Sequence, residues 1–126
     1  MSTIAVDNAR PSAGGTSYSL TSGVAKAALY YDQTGPTINS SENISSVTDI
    51  GTGLFSPNLT NAMSGSADYQ ITTGCVIDLT SFNGANRTVQ IYDPGGQTAS
   101  SFKLAWVANG AVFDKLSHAC VVGDLA

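Results

Sequence analysis

The chain is almost without the charged residues that usually cover the surfaces of soluble helices. Its 126 residues contain one glutamate, Glu42, and three lysines, and charged residues make up only 11% of the sequence, against about 25% in a typical globular protein. Serine, threonine, glycine and asparagine together account for 50 residues. This composition excludes long amphipathic helices and predicts an all-β fold.

Turn signals recur about every 8 to 12 residues from Val24 onward, a spacing typical of a sandwich or barrel of short strands. Asn83-Gly84 and Asn109-Gly110 are favourable hairpin pairs because both residue types tolerate positive φ. The strands predicted between the turns cover residues 26–32, 37–40, 44–48, 54–60, 67–79, 87–92, 102–107 and 119–122. We expect an antiparallel β-sandwich, jelly-roll-like in its connections, over residues 24–126.

The alternation of apolar and polar residues along these strands predicts the core. Pro57 lies inside one predicted strand and cannot donate a ladder hydrogen bond, so we expect that strand at a sheet edge or bulged. Trp106 alternates with buried-type residues and is assigned to the core. The predicted core residues are Tyr69, Ile71, Cys75, Ile77, Val89, Ile91, Phe102, Leu104 and Trp106.

Residues 1–23 form a segment with little to bury. Two short alternating patches, Ile4/Val6 and Tyr18/Leu20, flank a turn-rich stretch, and four apolar side chains do not order such a segment by themselves. We interpret it as a docking arm ordered by strand addition to a partner, with Ile4, Val6, Tyr18 and Leu20 as its contacts. A frayed terminus is the alternative.

The charge distribution limits the partners. Five basic residues lie singly along a chain of net charge −4, so no basic stripe is available for nucleic acid or an anionic membrane. No apolar run is long enough to cross a bilayer, and no signal peptide is apparent. Lysines that could guard sheet edges are scarce, so we expect neighbouring subunits to cover the edges of a homo-oligomer.

Little in the sequence indicates catalysis. His118 is the only histidine, and no Gly-x-Ser-x-Gly elbow accompanies it. Acidic residues occur singly near predicted strand ends, which favours loop capping over a composite calcium site. Cys75 and Cys120 lack metal or redox spacing, so they are interpreted as buried thiols, with a disulfide as the alternative. We predict no enzyme activity, cofactor or metal.

Adjacent tyrosines offer one possible surface contact. Tyr30 and Tyr31 must point to opposite faces of their strand, so one is expected in the core and the other outside. The outer tyrosine would contact a partner subunit or a glycan, unless both are buried within subunit packing.

Two segments resemble a β domain of tail fibre proteins from tailed bacteriophages, especially marine ones. They are KAALYY at residues 26–31 and the stretch at residues 37–63, in which NISSVTDIGTGLFSPNLTNAM at residues 43–63 is the specific part. The opening STIAVD at residues 2–7 also resembles the short strand that begins such fibre modules. Ala28 stands where that family usually has Trp, and Pro57 stands where it has a strand Val.

The resemblance implies a virion structural protein, often trimeric, without catalytic residues. We expect a small tail fibre or tail-tip protein, assembled in the host cytoplasm, that binds other virion proteins and contacts a host-surface glycan or protein. The alternative is a capsid decoration protein that stabilises the head. A secreted carbohydrate-binding module is a third possibility, disfavoured by the core assignment of Trp106 and by the missing signal peptide.

Overall fold

The computed structural model describes residues 8–9, 18–19, 25–75, 87–92 and 96–126. Every regular element in these ranges is a β-strand. The strands are β1 (Asn8–Ala9), β2 (Tyr18–Ser19), β3 (Ala25–Asp32), β4 (Thr37–Glu42), β5 (Ile44–Gly51), β6 (Leu54–Leu59), β7 (Tyr69–Cys75), β8 (Arg87–Ile91), β9 (Leu104–Ala108), β10 (Ala111–Val112) and β11 (Leu116–Gly123).

Two antiparallel sheets pack against each other. One has the order β4-β3-β11-β7, and the other has β5, β6, β9 and β8 in that order, with β10 beside the end of β9. β1 and β2 form a separate short ladder. The predicted antiparallel β-sandwich is confirmed. The consecutive strands β3 and β4 pair in the four-stranded sheet, and β5–β6 and β8–β9 pair in the other sheet.

The facing surfaces of the sheets form one core, and strand alternation predicted most of it. Phe102 and Leu104 are completely buried and Trp106 is 3% exposed, so the predicted burial of these three residues is confirmed. Ile77 lies outside the described residues. Among the other predicted core residues, Tyr69 and Val89 are buried, and Ile71 and Cys75 are half-buried against the core.

Ile91 is the exception among the predicted core residues. Its side chain is 47% exposed, whereas Val89, two residues earlier in β8, is buried. β8 pairs with β9 along one side, and Ile91 is its last residue. Alternation assigned Ile91 to the face of Val89, but the core does not extend to the end of this strand, so the prediction was wrong.

Pro57 does not lie in an edge strand. β6 lies between β5 and β9, and Pro57 is fully buried in register with Val47 of β5. The regular ladder to β9 ends at Phe55, before the proline. Beyond it, the Pro57 carbonyl accepts a hydrogen bond from the Phe102 N–H at 3.2 Å. An interior strand accommodates this proline because its ladder with one neighbour is interrupted there.

The turn that follows β3 and the turn that precedes β6 lie at the same end of the sandwich. Tyr31, near the end of β3, packs on Phe55, near the start of β6, with ring centroids 5.2 Å apart. Residues 33–36 and 52–53 form the adjacent turns. We call this the Gln33 end, after the buried glutamine in the first of these turns.

Candidate functional site

The predicted docking arm is only partly described. Ile4, Val6 and Leu20 lie outside the described residues. Tyr18 begins β2, and its backbone pairs with Ala9 of β1.

Tyr30 and Tyr31 point to opposite faces of β3, as predicted. Tyr31 is 3% exposed and packs against Phe55 in the core. Burial raises the pKa of the Tyr31 hydroxyl, and the carboxylates of Asp49, Asp114 and Asp32 raise it further. Tyr31 is therefore a core residue and is withdrawn as a surface contact, which leaves Tyr30 as the candidate.

Tyr30 forms an aromatic pair on the outer face of the four-stranded sheet. Its ring stacks on His118 of β11, with centroids 4.3 Å apart and planes 6° from parallel. The two residues are directly opposite each other in the β3–β11 ladder. Small side chains surround the pair because Ser40 and Gly74 lie beside it in the neighbouring strands. The result is a shallow groove of about 360 Å³.

The two cysteines lie on opposite faces of the four-stranded sheet. Cys75 packs toward the core from β7, whereas Cys120 lines the outer groove beside His118. Both thiols are free and half-buried. Adjacent strands place these side chains on different faces, so they do not form the disulfide that the sequence left open.

Three aspartates cap turns at the Gln33 end. Asp32 accepts hydrogen bonds from the Thr34 N–H and hydroxyl, and these bonds lower its pKa. Asp49 accepts from the Gly51 N–H at 2.9 Å, and Asp114 accepts from the Gly53 N–H at 2.7 Å. Loop capping is therefore what these carboxylates do. Among the described residues, no three His, Cys, Asp or Glu side chains are grouped to hold a metal ion.

Asn43 connects the two sheets and begins the segment that resembles phage fibre domains. It is the single residue between β4 and β5 and has a φ of 54°, a conformation that asparagine tolerates. Its Oδ1 accepts from the Asn61 N–H at 2.7 Å, and its Nδ2 donates to the Asn61 carbonyl at 3.1 Å. Asn43 therefore closes the open end of the β5–β6 hairpin.

Gly53 closes the other end of the same hairpin. Its φ is 68°, and a Cβ at this position would lie 2.5 Å from the backbone nitrogen of Phe113. Only glycine fits this conformation and this close approach without strain. The part of the sequence that carries the resemblance is therefore a structural hairpin whose key residues shape the backbone.

That hairpin contributes one of two open edges on the same side of the sandwich. All six residues of β4 and six of the eight residues of β5 are exposed. Among the described residues, β4 pairs with β3 alone and β5 with β6 alone. The two strands contain no lysine, and Glu42 and Asp49 are their only charged residues.

The opposite side of the sandwich is closed. β7 and β8 belong to different sheets but lie in contact, and the Thr73 hydroxyl donates to the Val89 carbonyl at 2.6 Å. The open edges of β4 and β5, with the outer groove at Tyr30 beside them, are the candidate interaction surface. The low charge of the chain indicated unguarded edges, but only the strand order shows which edges they are.

Comparison with known proteins gives no match, since no family model, no curated protein and no solved structure matches the chain. The resemblance to phage fibre domains therefore rests on the residues quoted above. In the part of the chain that the structure describes, no helix has the length and apolar character needed to cross a membrane.

Proposed function

We propose that the chain is a structural component of a tailed-bacteriophage virion, a small tail fibre or tail-tip protein that assembles from copies of itself. The observation that carries this proposal is the open side formed by β4 and β5. Both strands are exposed and without lysine. β5 lies within the segment that most specifically resembles fibre domains, and β4 directly precedes Asn43. Unpaired edges of this kind are sites for pairing with another chain.

The residues behind the resemblance support a building role. Asn43 and Gly53 fix the two ends of the β5–β6 hairpin, and Met63, at the end of the matched segment, is 1% exposed. None of them presents a reactive group to solvent. A segment whose residues fix backbone geometry suits a particle component, because the contacts of such a component are made by strands.

The proposal also gives roles to the N-terminal segment and to the groove on the outer face of the four-stranded sheet. Residues 1–23 serve as the docking arm to other virion proteins, and the β domain faces outward. The groove beside Tyr30 and His118, with hydroxyls from Ser40 and Thr72, is the surface available to a host glycan or protein. Aromatic and hydroxyl groups together suit such partly polar contacts.

The test is the number of copies in purified virions, measured by quantitative mass spectrometry against a known capsid protein. A tail fibre or tail-tip protein is present in a few to a few tens of copies. Hundreds of copies would contradict the tail assignment and identify a capsid decoration protein. Absence from the particles would contradict a virion role altogether.

The docking arm is tested by a chain that lacks residues 1–23. We expect it to keep the thermal unfolding transition of the full chain but to be missing from purified virions, because the core contacts described here come from residue 27 onward. Loss of the transition would show that the arm belongs to the core. Normal incorporation would show that it does not dock the protein.

A further inference from the structure

The two open edges run in opposite directions along one side of the sandwich. β4 starts at the turn of the Gln33 end and runs away from it, and β5 returns toward that end after Asn43. Because Asn43 is the only residue between them, the strands lie side by side in different sheets. Each copy of the chain therefore offers two different edges of opposite direction on the same side.

Residues of β4 and β5 lie at matching heights along the strand direction. Ile38 of β4 is in register with Tyr31, and Asp49 of β5 is in register with Phe55. Since the Tyr31 and Phe55 rings are in contact, Ile38 and Asp49 lie at about the same height, with Ile50 one residue further. Ile38 and Ile50 are 37% and 44% exposed, so two exposed isoleucines lie near the Gln33 end, one on each edge.

We infer that β4 of one copy pairs antiparallel with β5 of the next copy, in contacts that close a ring. A rotation axis parallel to the strands leaves the direction of every strand unchanged. β4 of one copy and β5 of the next copy therefore run antiparallel, and no shift of the copies along the axis is needed. This places Ile38 of each copy level with Asp49 of the next, with Ile50 one residue away. That a second copy of the chain covers these edges rests on the proposed function, whereas the pairing of β4 with β5 rests on the strand geometry.

Self-pairing of one edge fits these observations less well. A twofold axis between two β4 strands reverses one of them, which puts the two Ile38 side chains at opposite ends and leaves Ile50 exposed. Pairing β4 with β5 instead covers both isoleucines. It also keeps the carboxylates of Glu42 and Asp49 apart, because Glu42 lies at the opposite end of β4 from Ile38, and Ile38 is level with Asp49. A contact between two different edges is the kind that generates a closed ring.

The test is the molar mass of the full-length protein, measured by light scattering at concentrations on the order of 10 µM. We expect the mass of a single closed oligomer, larger than that of one chain, for the original sequence. Ile38→Asp and Ile50→Asp should each weaken association at least tenfold, because each puts a carboxylate into the contact near Asp49. The combination of Ile38→Lys with Ile50→Asp should restore association at low salt and lose it at high salt, since a screened ion pair replaces the isoleucines.

The matched control is Ile91→Asp, which alters an exposed isoleucine of β8 outside the two edges and should leave the mass unchanged. Circular dichroism and Trp106 fluorescence check that every variant stays folded. A monomeric original protein would overturn the contact, as would an Ile50→Asp variant of unchanged mass, which would indicate self-pairing of β4. These results do not depend on virions, so the contact and the virion role can fail separately.

Discussion

On one side of the sandwich, β7 and β8 join the two sheets through the hydrogen bond from Thr73 to the Val89 carbonyl. On the other side, the chain itself passes between the sheets at Asn43, and the edges of β4 and β5 remain exposed. The two sides of the sandwich therefore differ, because one is closed by a contact between the sheets and the other has two exposed strand edges. Substitutions near the closed side and in the core are expected to change stability, whereas substitutions on the open side are expected to change association.

The largest expected effect is that of Trp106→Ala, in the core between the two sides. Trp106 is buried and packs edge-on against Phe113, with centroids 6.1 Å apart. Its truncation should destabilise the fold by about 3–5 kcal/mol, measured by urea unfolding. Tyr92→Ala, at an exposed aromatic residue, is the control and should change stability by less than about 0.5 kcal/mol. Equal stability of both variants would contradict the burial of Trp106.

Gly53→Ala should destabilise the fold by about 1–3 kcal/mol, because a side chain is forced into positive φ and against the Phe113 backbone. Gly35→Ala is the matched control, since a Cβ there meets nothing within 4 Å. Thermal unfolding of both variants compares the two turns of the Gln33 end. If Gly53→Ala melted like Gly35→Ala, the β5–β6 turn would have another conformation.

Thr73→Val tests the closed side directly. The substitution keeps the shape of the side chain but removes the hydroxyl that donates to Val89, so we expect a loss of about 0.5–1.5 kcal/mol with no change in molar mass. Thr72→Val, on the outer face of the same strand, should have a smaller effect on stability. An altered molar mass for Thr73→Val would mean that the two sides are not independent.

A further expected effect is a dependence of stability on pH, confined to the alkaline range. Burial raises the pKa of Tyr69 from 10.0 to about 12, and its hydroxyl donates to the Thr98 carbonyl at 2.6 Å. The folded protein holds this proton more tightly than the unfolded chain, so stability is complete below pH 10 and decreases as the pH rises toward 12. Melting temperatures in this range should fall less steeply for Tyr69→Phe than for the original sequence, and identical slopes would exclude Tyr69 as the source.

Alternation along single strands explains what the sequence could predict. The eight predicted strands all correspond to strands of the structure, and the burial of Phe102, Leu104 and Trp106 followed from a period of two. The two-residue strand β10 was not predicted, because it is too short to show a period. Alternation also failed at Ile91, since it gives the face of a side chain but not how far the opposite sheet extends.

Strand order could not be predicted for a different reason. β11 lies between β3 and β7, a pairing of segments far apart in the sequence, and alternation carries no information about such partners. Without the order, the strand of Pro57 was expected at an edge or with a bulge, and the open edges could not be located. Tyr30 and Tyr31 were predicted to point to opposite faces of their strand. The stacking of Tyr30 on His118 could not be predicted, because it depends on the β3–β11 register.

The central claim is that the β4/β5 side is covered by another copy of the chain. Hydrogen–deuterium exchange of the assembled protein, compared with the dissociated Ile50→Asp variant, tests it most directly. We predict slower amide exchange in β4 and β5 of the assembled protein, and unchanged exchange in the central strands β3 and β11, which already have partners on both sides. Equal exchange in β4 and β5 of the two samples would contradict the claim.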